Sequence, residues 1–255
     1  MEHGNYYQYP CHIFERLPED ITLKLQGRAL TKMFNLVPGN MTHTVKKILI
    51  INGSLRGTIG NSGALTKQAA QVLVNDLQQE VVQLTLTDPL PGIREVYDLL
   101  SSCDGFLVVT GVYWNNWSSP LQQFIEVTTA FENTPAFFGK PVACAVTMDS
   151  VGGIEVAGRL QAVFGGLGCW SPPCSVIVLS RTGQEAMTAS AEQEDDPNED
   201  VWRMSDLSIV LQNLTTAAGM PRNNWMAWPH TELTVPDGPW PGKGPLDMGS
   251  PRFLP

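Results

Sequence analysis

Apolar residues in this chain come as short unbroken runs separated by amphipathic stretches. VKKILIIN, EVVQLTL, GFLVVTG, KPVACAVTM and CSVIVLS are the five runs. They are rich in β-branched residues and apolar at consecutive rather than alternate positions, which is what a strand buried on both faces requires. Between them, NSGALTKQAAQVLVNDLQ sets Leu65, Ala69, Val72, Leu73 and Leu77 on one helical stripe. IREVYDLLSSC, SPLQQFIEVTTAFE and GGIEVAGRLQAVFGGLG read as three more helices. VWRMSDLSIVLQNLTTAAG reads as a last helix, closed by a glycine C-cap, and an acidic loop separates it from CSVIVLS. Repeated strand–helix alternation predicts an α/β fold, a doubly wound five-stranded parallel sheet of order 2-1-3-4-5 with helices on both faces.

The ends of the chain break this rhythm. Residues 1–44 are polar, aromatic and punctuated by proline, and read as an N-terminal arm with a short helix from Ile21 to Phe34. The regular domain spans 45–219. Residues 220–255 form a Pro- and Gly-rich C-terminal tail that carries Trp225, Trp228 and Trp240. Flexible linkers seldom carry three tryptophans, so the tail is expected to pack against something.

Charge narrows the partners. The 255 residues carry a formal net charge of -9, which disfavours a nucleic-acid partner. Six acids and no base fall between Glu192 and Asp200, a solvated loop by composition. The five cysteines are irregularly spaced with no CxxC pair, which suggests free thiols in a reducing compartment. Cys103 and Cys144 sit in apolar surroundings as packing residues; Cys169 and Cys174 flank WSPP and could form a redox pair or pack singly. No apolar run approaches the ~18 residues of a membrane span. The N-terminus lacks the basic start and apolar middle of a signal peptide. The expectation is a cytoplasmic protein.

Ligands of an open parallel sheet bind beyond the carboxyl ends of the strands, where strand order reverses. Here that point lies between the first and third strands. The first loop is GSLRGTIGNS. Gly53 and Gly57 let the backbone turn, Gly60, Asn61 and Ser62 enter a helix, Ser54 and Ser62 offer hydroxyls, and Arg56 offers a full charge. A helix N-terminus with these groups holds a phosphate. The same residues would also make an ordinary turn with Ser62 or Asn61 as a plain N-cap. Neither GxxxxGK[ST] nor GxGxxG is present, which disfavours nucleoside triphosphates and a Rossmann site. The second loop, GVYWNNWSS, mixes Tyr113, Trp114 and Trp117 with amides and suits a flat heteroaromatic ligand, a core cap or a subunit contact. In the third, MDSVGG, Gly152 and Gly153 allow close approach of backbone amides to a ligand; an ordinary turn capped by Asp149 or Ser150 fits equally.

Taken together, GSLRGTIGNSGAL, CDGFLVVTGVYWNNWSSPLQQFIE and GKPVACAVTMDSVGG resemble the NAD(P)H-dependent FMN reductase group of flavodoxin-like proteins, over about Val45 to Gly219. The resemblance implies FMN, with its phosphate on Ser54, Arg56, Asn61 and Ser62. It implies a ring system against Thr110, Val112, Tyr113, Trp114 and Asn115, with Asp149, Ser150 and Gly152 closing over it. The chain departs from the family pattern in one extra residue between Arg56 and Gly60, in Gly111 where proline is usual, and in Gln123 where a basic residue is usual.

The implied activity is hydride transfer from NADPH or NADH, through FMN, to a small acceptor such as a quinone, azo compound, free flavin or pathway intermediate. No catalytic triad is needed. The expected assembly is a homodimer or homotetramer, with the tail tryptophans covering the site. Two other functions fit the fold: a flavodoxin-type electron carrier docking on a redox partner, and a structural subunit without flavin. His3, Cys11 and His12 make a weak metal candidate on the arm, and His230 has no hydrolase partners.

Overall fold

The computed structural model describes residues 44–189, 202–221, 225–228, 235 and 237–241. The Ile21–Phe34 helix, the His3/Cys11/His12 group, His230 and the acidic run at Glu192–Asp200 lie outside them. The strands are β1 (Lys47–Asn52), β2 (Glu80–Thr85), β3 (Gly105–Gly111), β4 (Val142–Met148) and β5 (Val176–Ser180). They form one all-parallel sheet in the order β2-β1-β3-β4-β5, as the alternation predicts.

Alternate residues of each strand feed two cores. Leu49, Ile51, Phe106, Val108, Cys144, Val146 and Val178 face one side. They pack against α2 (Ile93–Ser102), α3 (Ser119–Thr128) and α4 (Gly153–Leu167) through residues such as Val96, Phe124 and Leu160. Ile48, Ile50, Leu107, Val109, Ala143, Ala145 and Ile177 face the other. There Leu65 and Leu73 come from the first helical segment, and Leu211 and Leu214 from the last helix, Leu207–Ala218. All seven residues of β3 are buried, which is why its sequence shows no alternation.

The elements differ from the sequence pattern in their ends. The first helix is α-helical only over Asn61–Gln71 (α1) and widens to a π turn at Val72–Asp76. Leu77 is half-buried just beyond that turn. The SPLQQ helix tightens to a 3₁₀ turn at Thr129–Phe131. Gly219 closes the last helix as its C-cap but with φ −83, outside the left-handed region.

One helix was not expected. Residues Arg181–Ala189 are α5, where the pattern reads as loop; the last helix is therefore α6. The physical reason is local capping: the Gly183 N–H donates to Ser180 Oγ at 3.1 Å, and the Thr182 N–H to the Asp149 carbonyl at 3.0 Å. Arg181 and Glu185 add an i,i+4 ion pair at 3.5 Å. Gly183 hides this segment from a propensity reading.

At the amino end of the sheet, Lys140 is 1% exposed. Its Nζ donates to the Leu100 and Ser101 carbonyls at 2.6 and 3.0 Å, so a cation closes the C-terminus of α2. The tail does pack. Val235 is buried in the α2/α3-side core and Trp240 stacks on Phe124 at 5.8 Å between centroids. Asp237 pairs with Arg94 at 3.1 Å, and the Ile93 N–H donates to the Gly238 carbonyl at 2.9 Å.

Candidate functional site

Strand order reverses between β1 and β3, and three loops meet beyond their carboxyl ends. The first starts from Asn52, which is fully buried at the end of β1. Asn52 Oδ1 accepts the Ser54 N–H at 3.0 Å, and Asn52 Nδ2 donates to the Gly57 carbonyl at 2.9 Å. Ser54 Oγ in turn accepts the Arg56 N–H at 3.2 Å. One buried amide therefore folds the loop before any ligand arrives. Of the two glycines expected to turn it, Gly57 does so at φ +58. Gly53 instead lets β1 press on α3, since a Cβ there would lie 2.8 Å from Leu121 Cβ.

The loop runs into α1, whose N-cap is Gly60. No side chain caps that turn and it holds no acid. The plain N-cap by Ser62 or Asn61 is therefore not what forms. Asn61, Ser62 and Gly63 present first-turn N–H groups at the positive end of the helix dipole. Arg56 and Asn61 are exposed at this mouth, and among the described residues no acid pairs with Arg56. Ser54 and Ser62 are 3% and 5% exposed. The Ser62 hydroxyl is shared with Thr147 Oγ1 at 2.7 Å, tying α1 to the end of β4. Of the four phosphate candidates, the structure thus brings Arg56 and Asn61 to the surface and uses the serines to stiffen the loop.

The second loop is a tight turn. Tyr113 and Asn116 exchange backbone bonds at 2.7 and 3.0 Å, while Trp114 and Asn115 have φ of +49 and +62. Two successive left-handed residues make a turn of the I′ kind, which projects its tip away from the sheet. Trp114 stands at that tip, fully exposed. Holding a tryptophan in this conformation costs roughly 1–2 kcal/mol. Arg159 of α4 supports it: its guanidinium donates to the Asn115 carbonyl and lies 5.2 Å from the Trp117 ring centroid. Val112 is anchored by its N–H to the Thr147 carbonyl at 2.9 Å. Thr110 is fully buried, and its hydroxyl serves the base of the turn, donating to the Gly111 carbonyl at 3.1 Å and accepting the Ser118 N–H at 3.4 Å. Ser118 Oγ donates to the Gly53 carbonyl and accepts the Leu121 N–H, joining the first and second loops while capping α3.

In the third loop Gly152 has φ +87, and a Cβ there would overlap Asn115 Oδ1. Asp149 is turned to α5, where its carboxylate meets Arg181 Nε at 2.5 Å. The guanidinium pKa is raised, first by that hydrogen bond. Ser150 is exposed. Arg159, Asn52, Ser118 and Thr147 were missing from the sequence reading. Arg159, Ser118 and Thr147 meet partners 44, 65 and 85 residues away, and no local pattern marks them, whereas Asn52 bonds within its own loop and, at a strand end before Gly-Ser, is a legible turn signal.

Three observations of the structure fit FMN. The uncapped α1 turn and Arg56 are unspent donors for a phosphate. Asn116 Oδ1 is a buried acceptor with no donor, beside the aromatic turn. Leu55, Ile59, Trp114 and Val151 are exposed apolar side chains on the same three loops, and Ile154 on the first turn of α4, a surface that a flat ring can meet. A groove of about 790 Å³ begins at the first loop, at Thr58, Ile59 and Gly60, and runs along α1 to Asn75 and Gln83. The tail tryptophans are placed elsewhere in this chain: Trp225 and Trp228 line a 220 Å³ hollow with Trp170 near the amino end of β4, and Trp240 lies on Phe124. Among the described residues no His/Cys/Asp/Glu group could hold a metal, and no helix is long and apolar enough to cross a membrane. Cys103, Cys144 and Cys169 are buried and Cys174 is exposed; the Cys169 thiol donates to the Phe137 carbonyl at 3.5 Å.

Comparison with solved structures returns the same fold. The chain is similar to RosB with bound 8-demethyl-8-formylriboflavin-5'-phosphate, at 14% identity and TM-score 0.55, over 68% of this chain and 79% of that one. It also matches the apo form of the NADH:FMN oxidoreductase EMOB, at 16% identity and TM-score 0.49, over 68% and 89%. A flavodoxin from the domain Archaea aligns at 11% identity and TM-score 0.47, over 68% and 99%. A comparison with curated protein sequences gave no match. The model of the NADPH-dependent FMN reductase family matches residues 46–184, more than half of the chain and all three loops of the crevice. With that match and the parallel flavodoxin-like sheet, the chain belongs to the NADPH-dependent FMN reductase family, whose chemistry is FMN-dependent oxidoreduction.

Proposed function

We propose that this protein binds FMN in the crevice between β1 and β3 and passes hydride equivalents from NADPH or NADH to a small acceptor. The observation that carries the reading is the pairing of an uncapped, acid-free α1 N-terminus with an exposed Arg56, across the crevice from an aromatic turn. FMN, when bound, supplies the hydride chemistry; the protein supplies binding, orientation and electrostatics.

Arg56, Asn61 and the first-turn N–H groups of α1 hold the phosphate. Ser54 and Ser62 keep that loop in shape and lend hydroxyls to its inner side. Asn116 offers its buried amide oxygen to a ring N–H, and Val112, Tyr113 and Asn115 bound the ring plane. Gly152 keeps Asn115 in place from the third loop, with Asp149 and Ser150 at its outer edge. Trp114 presents a stacking face to whichever ring enters second, the nicotinamide or the acceptor. The apolar rim favours an uncharged aromatic acceptor such as a quinone, an azo compound or free flavin, and favours a homodimer or homotetramer as the assembly, which sedimentation would read.

The test is the absorption spectrum of the purified protein. Near-ultraviolet and blue bands that bleach on anaerobic addition of NADPH or NADH support the reading. A colourless protein that oxidises neither nucleotide after FMN is supplied overturns it. Bands that bleach only through a second redox protein would move the assignment to an electron carrier.

A further inference from the structure

Tyr113 and Trp114 are neighbours in the same turn, but they point in different directions. Trp114 stands in solvent, whereas Tyr113 is half-buried and folds back toward the first loop. Its hydroxyl oxygen accepts the Leu55 N–H at 3.3 Å. Its ring lies over Gly111: a Cβ on that glycine would be 3.2 Å from Tyr113 Cε2 and 3.2 Å from its hydroxyl oxygen. The side chain thus bridges from the end of β3 to the loop that follows β1, across the point where strand order reverses. A side chain on residue 111 would press on that ring and make it give by a few tenths of an ångström or more.

Leu55 sits between Ser54 and Arg56. The Gly53, Ser54 and Arg56 N–H groups are each given to an acceptor within the strand ends or the loop itself. The Leu55 N–H is the one whose acceptor arrives from another loop on a rotatable side chain. A tyrosyl oxygen on that amide does what an anionic ligand oxygen would do, with a neutral and weaker bond.

We infer that Tyr113 is a resident competitor for the first loop: its hydroxyl holds the Leu55 amide and must leave it before FMN seats, with Gly111 as the space that lets the ring lie there. This rests on the FMN reading of the crevice. It makes Tyr113 a gate on cofactor uptake rather than a catalytic residue, and it separates the rate of loading from the strength of holding.

The experiment uses the full chain stripped of flavin, with wild type, Tyr113→Phe and Gly111→Val compared. Two quantities are read: amide hydrogen exchange at Leu55 without ligand, and FMN association and dissociation by stopped-flow fluorescence. Tyr113→Phe keeps the ring and removes the acceptor. It should speed Leu55 exchange and FMN association about fivefold, the scale of one neutral hydrogen bond, with little change in dissociation. Gly111→Val, which displaces the ring, should do the same. Equal association rates in all three proteins, or a faster dissociation with unchanged association, overturn the inference and make Tyr113 an ordinary ligand contact. FMN binding by none of the three proteins fails the FMN reading, and the inference with it; binding with equal association rates fails the inference alone.

Discussion

The amide oxygen of Asn115 fills the space that a side chain on Gly152 would need, so the second and third loops of the crevice meet as a lock. Gly152 also has φ +87, a conformation other residues resist. Gly152→Ala should therefore push Asn115 out of its turn. The expected cost is about 1 kcal/mol from the backbone, a fall in Tm of roughly 2–4 °C. FMN affinity should drop by more than that strain alone accounts for, because Trp114 and Asn116 move with the turn. Calorimetry beside an FMN fluorescence titration separates the two.

Arg56 is exposed and unpaired among the described residues, so its removal leaves the fold alone. Arg56→Ala should weaken FMN by about 1.5–3 kcal/mol, the range of a charged hydrogen bond, with unchanged circular dichroism and Tm. Arg56→Lys should recover only part of it, since a point charge replaces a planar fork. Unchanged affinity in Arg56→Ala would place the phosphate elsewhere.

Arg159 holds the turn from α4 by a hydrogen bond to Asn115 and by its position over Trp117. Arg159→Ala should cost little stability, about 0.5–1 kcal/mol at such an exposed site. It should change nicotinamide-nucleotide turnover more than FMN affinity, because the turn carries Trp114 and not the phosphate loop. Steady-state kinetics on flavin-saturated protein would show it.

Lys140 sits with its ammonium on two carbonyls at the end of α2. Lys140→Met keeps the packing and leaves those acceptors unmet. Urea unfolding should show a loss of about 2–3 kcal/mol with FMN binding intact, because the site is at the other pole of the sheet.

Burial pushes the Cys144 thiol up to about 12, and the Cys103 thiol is also raised, chiefly by burial. Both stay protonated in the folded chain at a pH where the unfolded chain ionises. Their contribution to stability is full below about pH 9 and falls as pH rises through the folded values, by at most about 1.4 kcal/mol per pH unit for Cys144. Unfolding midpoints between pH 8 and 10.5 should decline in wild type and more shallowly in Cys144→Ala. Exposed Cys174 should take up a thiol reagent in the native protein, and Cys144 should not.

The strands were legible because a doubly covered parallel strand has no polar position to spare, so GFLVVTG carries its own boundaries. The first loop was legible only as a turn entering a helix: its glycines, hydroxyls and arginine suit an anion, but they suit an ordinary capped turn as well, and only the structure shows Gly60 at the N-cap with no side chain capping it. What was not legible depends on distance along the chain. Arg159 meets Asn115 from 44 positions away and Tyr113 meets Leu55 from 58, and nothing local at either end announces the other. Helix α5 was missed because its start is secured by Ser180 and Asp149, residues that belong to two different strand ends. The tail tryptophans announced that the tail would pack against something, but not where: Trp240 found Phe124, not the crevice, and Trp225 and Trp228 are exposed.

The tail has a consequence for how the molecule is made. The first N–H of α2, on Ile93, is answered by Gly238, and Arg94 by Asp237, so a helix made early gets partners from a segment made much later. A ribosome adding about 5–20 residues per second must travel well over a hundred codons between the two. Throughout that interval the start of α2 is wet and the floor beneath Trp240 is bare. A stop codon between Ser180, where the last strand ends, and Val235 therefore leaves an otherwise complete sheet permanently in that condition.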